Sequence, residues 1–164
     1  MTAITVALLI GTPMVSAMEV GDTFEIKTKP GIATCKTPED ISCGEGKLRA
    51  NFLLQIEEVE ENSIKGIGKG EIQLITDGWD FEDEFMSQDL SFEFDQNIKQ
   101  LSIKGQIVSN MENNRWNLSA VAENIEQKKN SKYAMDLNVV LTGPNGVTIE
   151  SEVKGFSKSL NSCA

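Results

Sequence analysis

The densest chemistry in the chain lies between Asp77 and Asp89, DGWDFEDEFMSQD, where six carboxylates and three aromatic rings fall within thirteen residues that hold no Lys or Arg. Carboxylate oxygens suit calcium, yet Gly78 comes far too early for the D-x-D-x-D-G loop that wraps the ion. The apolar side chains suggest another use. Trp79, Phe81, Phe85 and Met86 would close an apolar cavity as a lid, with Phe81 and Phe85 on one face if the segment makes a helical turn. The plainer reading is a solvated acidic loop whose aromatics cover one end of the fold.

Elsewhere the pieces of catalytic machinery do not come together. The chain has no His, which removes the commonest general base. Glycoside hydrolysis needs two carboxyl groups facing each other across a cleft, one of them in an apolar setting. Glu57, Glu58 and Glu60 instead belong on an exposed hairpin opposite Lys65, where solvated cross-strand pairing is the ordinary outcome. Gly66-x-Gly68-x-Gly70 lacks the G-x-G-x-x-G spacing of a phosphate loop and leads into no helical pattern. No catalytic residue and no cofactor is expected. Asn117-Leu118-Ser119 matches the N-glycosylation pattern, which has meaning where the source glycosylates exported proteins.

Cys35, Cys43 and Cys163 have no His and no C-x-x-C spacing to make a zinc site with, so no metal is expected. In an oxidising compartment three thiols give one disulfide and one remainder. Cys35 with Cys43 closes the short loop CKTPEDISC and is the expected pair; a bridge from either to Cys163 is the alternative. Export is suggested by residues 1–17, MTAITVALLIGTPMVSA, which carry no charge, an apolar run from Ala3 to Ile10, and small residues Val15 and Ala17 where a signal peptidase reads. This reads as a signal peptide cut before Met18, leaving residues 18–164 as a single domain. No later stretch approaches the roughly 20 apolar residues of a spanning helix. A formal charge of −10 argues against nucleic acid or an anionic membrane surface as partner, since both call for a basic face.

The elements that must position these residues are strands. From Lys47 to Leu160 apolar residues recur at every second position, in runs that end in short polar turns, the pattern of an antiparallel meander. Phe24 to Lys29 reads as a short first strand, after which Lys29-Pro30-Gly31 turns the chain into a loop from Cys35 to Gly46. In the next hairpin, Ile56 and Val59 lie on opposite parities, so a β-bulge near Glu57-Glu58 is needed to bring both inward. With it Gly66 faces Ile56, Gly68 faces Leu54 and Gly70 faces Phe52. Small opposite large fills the inner wall of a strongly curved sheet. Leu90, Phe92 and Phe94 match Gly105, Ile103 and Leu101, and Trp116, Leu118, Ala120 and Ala122 line the following strand. Tyr133 to Leu141 are expected to meet Gly155 to Val147 across Gly143-Pro144-Asn145-Gly146.

The expected fold is all-β: an up-and-down meander of about eight strands forming a closed or nearly closed barrel, with a β-sandwich as the alternative. Export, meander, lid and disulfide together resemble the lipocalin-like, or calycin, architecture. That resemblance implies a carrier; on the strand reading an interior cavity lined by Phe52, Phe92, Trp116 and Met135 would favour it, and a barrel filled by those side chains the structural module. The G-x-W element that marks lipocalins is absent near Phe24, so no functional residue is carried over. The leading expectation is a non-enzymatic interaction or structural module of the cell envelope or surface, secreted or periplasmic, with an envelope protein as partner. A carrier of a small apolar ligand is the first alternative and a small outer-membrane barrel the second.

Overall fold

A computed structural model describes residues 6–7, 17–75, 83–110, 113–129 and 132–160. Two short strands, β1 (Val6–Ala7) and β2 (Ala17–Met18), pair with each other. The remaining strands form one sheet: β3 (Thr23–Thr28), β4 (Gly31–Lys36), β5 (Ser42–Val59), β6 (Ser63–Ile75), β7 (Asp83–Asp95), β8 (Gln100–Ser109), β9 (Arg115–Gln127), β10 (Tyr133–Thr142) and β11 (Thr148–Ser159). Alternation decides which side of each strand is buried. In β10, Tyr133, Met135, Leu137, Val139 and Leu141 are buried and the residues between them are not.

The sheet closes on itself. Consecutive strands from β5 to β11 pair with their neighbours, and β11 pairs with β3 and β4, which in turn pair with β5. The meander expected from the sequence is therefore a ring of eight positions, and among the described residues the only other sheet is the short β1–β2 pair, too small to form a sandwich. Among the described residues every strand of this sheet has a neighbour on both sides.

One position of the ring is shared by β3 and β4, and here the sequence expectation needs correcting. Lys29-Pro30-Gly31 is no turn. Thr28 pairs with Gly155 and Ala33 with Ser151, so the chain runs on along β11 with a single-residue shift between them. The Lys29 amide donates to the Lys154 carbonyl at 2.9 Å. Pro30, having no N–H, is tolerated at such an irregularity and not inside a regular ladder. What reads as a loop from Cys35 to Gly46 is a hairpin whose tip spans residues 37–41, because Thr37 and Ile41 close on each other through the Thr37 amide and the Ile41 carbonyl at 2.9 Å.

The β5–β6 hairpin has the register that size complementarity demands. Ile56 pairs with Gly66, Leu54 with Gly68, Phe52 with Gly70 and Val59 with Ile64, and the ladder shifts between Ile56 and Glu58. A Cβ on Gly70 would come within 2.8 Å of both Phe52 and Leu90, and one on Gly68 within 2.6 Å of Leu54 and the Leu53 carbonyl. The missing side chains of β6 are the space into which its neighbours on β5 and β7 project. That lets Phe92 of β7 reach Phe24 of β3, ring centres 5.7 Å apart and nearly perpendicular at 74°.

Two further expectations shift. The segment after Asp83 is strand, not loop, since Phe85 pairs with Ile72 on one side and Ser109 on the other. In the last hairpin Met135 pairs with Gly155 and Leu141 with Ile149, two residues away from the expected register. The Gly143 amide bonds to the Val147 carbonyl at 2.8 Å, so the loop takes in one more residue on each side of its tip than a Leu141 to Val147 pairing allows.

Candidate functional site

The residues singled out by sequence divide between the two ends and the middle of the ring. At one end stand the disulfide and the turns at residues 37–41 and 143–147. Cys35 and Cys43 are bonded, with Cα atoms 5.0 Å apart, joining β4 to β5 beside the turn. That pairing leaves no place for the alternative partner Cys163, which lies outside the described residues. The two turns share a design. In each a Pro follows the first residue and the fourth adopts positive φ, Asp40 at 63° and Gly146 at 77°. A Cβ on Gly146 would touch Pro38 at 2.9 Å, so one turn rests on the other.

Just inside this end Phe85 and Trp116 meet edge to face, 5.3 Å between ring centres at 74°. Phe85 is 1% exposed. Trp116 is half-buried, and Gly143 lies over its ring, where a Cβ would come within 3.0 to 3.1 Å of three ring carbons. The indole Nε1 is buried without a hydrogen-bond partner among the described residues. Met86, the next residue along β7, points outward and is 47% exposed, on the opposite face of the sheet from Phe85. Strand alternation makes that inevitable, because a lid that seats Phe85 inward must turn Met86 out. Trp79 and Phe81 lie outside the described residues, as does most of the acidic run considered for calcium.

The other residues lie deeper. Phe52 is fully buried between Leu90 and the β6 glycines, Phe92 is 4% exposed against Phe24, and Met135 is 5% exposed with its Cγ facing Gly155. Phe24 was not among the sequence candidates, although it shares a parity with Ile26 and so belongs to the same inward row. Phe85 with Trp116 and Phe92 with Phe24 form separate pairs toward opposite ends of the ring. They do not gather around one point.

The electrostatics of the interior are plain. Among the described residues the buried polar side chains are Ser87, Ser109, Ser151 and Ser157, with no buried Asp, Glu, Lys or Arg. Ser151 Oγ donates to the Ile32 carbonyl at 2.8 Å, and Thr28 Oγ1 accepts from the Ala50 amide at 2.8 Å. Burial raises the Tyr133 hydroxyl above its ordinary pKa. The Glu58 carboxyl is held above the usual carboxylate range by its hydrogen bond to Glu60, whose own carboxyl is lowered by the same bond and by Lys65. Both lie on the solvated hairpin, Lys65 Nζ 3.6 Å from Glu60, so their interaction faces water and not a cleft. Among the described residues no group of three His, Cys, Asp or Glu is placed to hold a metal ion. On this geometry the described part of the ring offers packing, hydroxyls and a closed backbone.

In comparisons with protein-family models, curated proteins and solved structures, the chain matches none.

Proposed function

We propose that the chain is an exported, non-enzymatic ring of strands that serves as an interaction or structural module of the cell envelope or surface. What supports this reading is the burial of the inward side chains among the described residues. An eight-stranded closure is just wide enough to be packed by side chains or to hold one small ligand. A cavity that admits a ligand leaves its lining open to small molecules, and Phe52 and Phe85 are 0% and 1% exposed. Export is supported by the uncharged, apolar leader-like segment 1–17 and by a Cys35–Cys43 disulfide compatible with an oxidising compartment. A lipid-facing barrel would carry an apolar outer band. Lys27, Lys65, Glu93, Lys104, Glu152 and Lys154 stand on outward-facing positions here, which favours a water-facing ring.

Titration with fatty acids and other apolar ligands, followed by the fluorescence of Trp116 and Trp79, tests the reading. The expected result is no saturable change. A saturable change at micromolar ligand that is lost in Phe85→Ala would replace it with the carrier. N-terminal sequencing of protein recovered from outside the cytoplasm is expected to begin at Met18.

A further inference from the structure

The two turns that touch at one end of the ring differ at a position with chemical consequences. Thr37-Pro38-Glu39-Asp40 and Gly143-Pro144-Asn145-Gly146 share a Pro in second place and a positive φ in fourth. In each the fourth amide donates to the first carbonyl, Asp40 to Thr37 at 2.9 Å and Gly146 to Gly143 at 3.1 Å. The third residue is Glu39 in one and Asn145 in the other, both exposed. An Asn side chain holds its amide carbon where the next backbone nitrogen can close a five-membered ring on it. Glu39, one carbon longer and ionised, has no such reaction. Glycine as the following residue hinders ring closure least, having no side chain, and Asn145-Gly146 is the one Asn-Gly pair in the chain.

The turn holds that reaction back. The nucleophile is the Gly146 backbone nitrogen stripped of its proton, and that N–H is bonded to the Gly143 carbonyl. Asn145 has no positive φ, so with this bond and Pro144 in second place the turn is of type I, which sets ψ of its third residue at about 0°. Ring closure needs the Gly146 nitrogen swung round until it eclipses the Asn145 Cβ, and that breaks the turn. The Gly143 amide's bond to the Val147 carbonyl at 2.8 Å and the closeness of Gly146 to Pro38 oppose the swing.

We propose that Asn145 is a deamidation site held in check by its own turn, and that its conversion loosens the contact between the two turns. When the turn opens, the Gly146 nitrogen gives up its proton and bonds to Asn145 Cγ, the Cγ–Nδ2 bond breaks, and ammonia leaves with that proton. Water then opens the succinimide. Attack at Cγ breaks the new bond and leaves aspartate; attack at the former backbone carbonyl carbon leaves isoaspartate, whose main chain is one carbon longer. Either product sets a carboxylate on the turn that rests against Pro38, beside Glu39 and Asp40. Like charges, and in isoaspartate the lengthened main chain, push the turns apart. The site does not depend on what the ring binds.

The test is incubation of the purified oxidised chain at mildly alkaline pH, folded and in guanidinium chloride, followed by peptide mass spectrometry and isoaspartate methyltransferase labelling. Residue 145 is expected to convert in both, about tenfold or more slowly in the folded chain, because opening costs the turn its hydrogen bonds. Pro144→Ala, which frees the second position, should speed the folded rate roughly threefold and leave the denatured rate within error. Asn145→Gln should abolish the conversion, and the aged parent should then unfold at lower urea than the aged Asn145→Gln chain. Far-UV circular dichroism confirms that each variant keeps its strands. Faster conversion at another Asn of the folded chain, equal folded and denatured rates, a Pro144→Ala chain no faster than the parent, or coincident melts of the two aged chains overturns the proposal.

Discussion

The β5–β6 and β10–β11 hairpins build different sides of the same ring, and their registers are held by different forces. In β5–β6 a large side chain faces a glycine three times over, Ile56 to Gly66, Leu54 to Gly68 and Phe52 to Gly70, and a slip by two residues would set large against large. In β10–β11 the inward partners are Met135 with Gly155, Leu137 with Val153, Val139 with Ser151 and Leu141 with Ile149, a gentler gradation of sizes that several registers could accommodate. There the turn decides. Gly146 at positive φ ends a tight loop in which its amide bonds the Gly143 carbonyl at 3.1 Å, and the strands follow from it. The wall with the glycine row is specified by its core, and the other by its connection.

The largest expected effect tests the coiled wall. A Cβ on Gly66 would overlap the Gln55 carbonyl and come within 2.6 Å of Phe92, and the first of these neighbours is backbone. Gly66→Ala should therefore cost about 3 kcal/mol or more, read as a fall in urea midpoint. A midpoint within error of the parent would mean that the coil relaxes freely. Gly68→Val follows at roughly 1 to 3 kcal/mol, since its bulk must enter space held by Leu54. In the other hairpin Gly146→Ala should cost about 1 kcal/mol, from the left-handed backbone and the contact with Pro38. Gly155→Ala is the control: its Cβ would meet the flexible Met135 Cγ at 3.3 Å and Ile26 and Thr28 at ordinary contact distances of 3.6 and 3.8 Å, and a change under about 0.5 kcal/mol is expected by the same melt. A large loss at Gly155 and a small one at Gly66 would reverse the comparison.

The smallest effect is electrostatic and belongs to the outside of β10–β11. Asp136 bonds Lys154 across the strands and accepts from Asn124 Nδ2 at 2.8 Å, and these hold its carboxyl below the usual range, with Lys154 raised in return. A carboxyl lowered in the folded state contributes stability above its unfolded pKa and loses it as pH falls through the folded value. The parent should therefore lose slightly more stability than Asp136→Asn between neutral and strongly acidic pH. Equal losses in parallel urea melts would show that the pair does not couple to folding.

How far the sequence could be read follows the same division. The bulge near Glu58 is legible because Ile56 and Val59 fall on opposite parities, a contradiction that a single extra residue resolves. The two-residue error in the last hairpin is not legible, because a shift by two keeps every side chain on its own face and hydrophobic alternation is blind to it. Pro30 reads as a turn for a sound reason, that it breaks a ladder. Only the partner strand reveals that the break is a single irregularity along β11. Among the candidate site residues, Phe85 and Met86 look like neighbours in a lid until the strand sends them to opposite faces.

Alternation and the close pair of cysteines are local properties, and from them the chain alone determined an all-β meander and made Cys35–Cys43 the expected bridge over a pairing with Cys163. Closure brought together what no local pattern contains. Phe24 reaches Phe92 past the glycines of β6, and Gly146 settles on Pro38. These relations depend on the way a ring of strands curves and on where each strand starts along its neighbour. Those quantities are set by packing summed over the whole sheet, so they emerge only when the last strand meets the first.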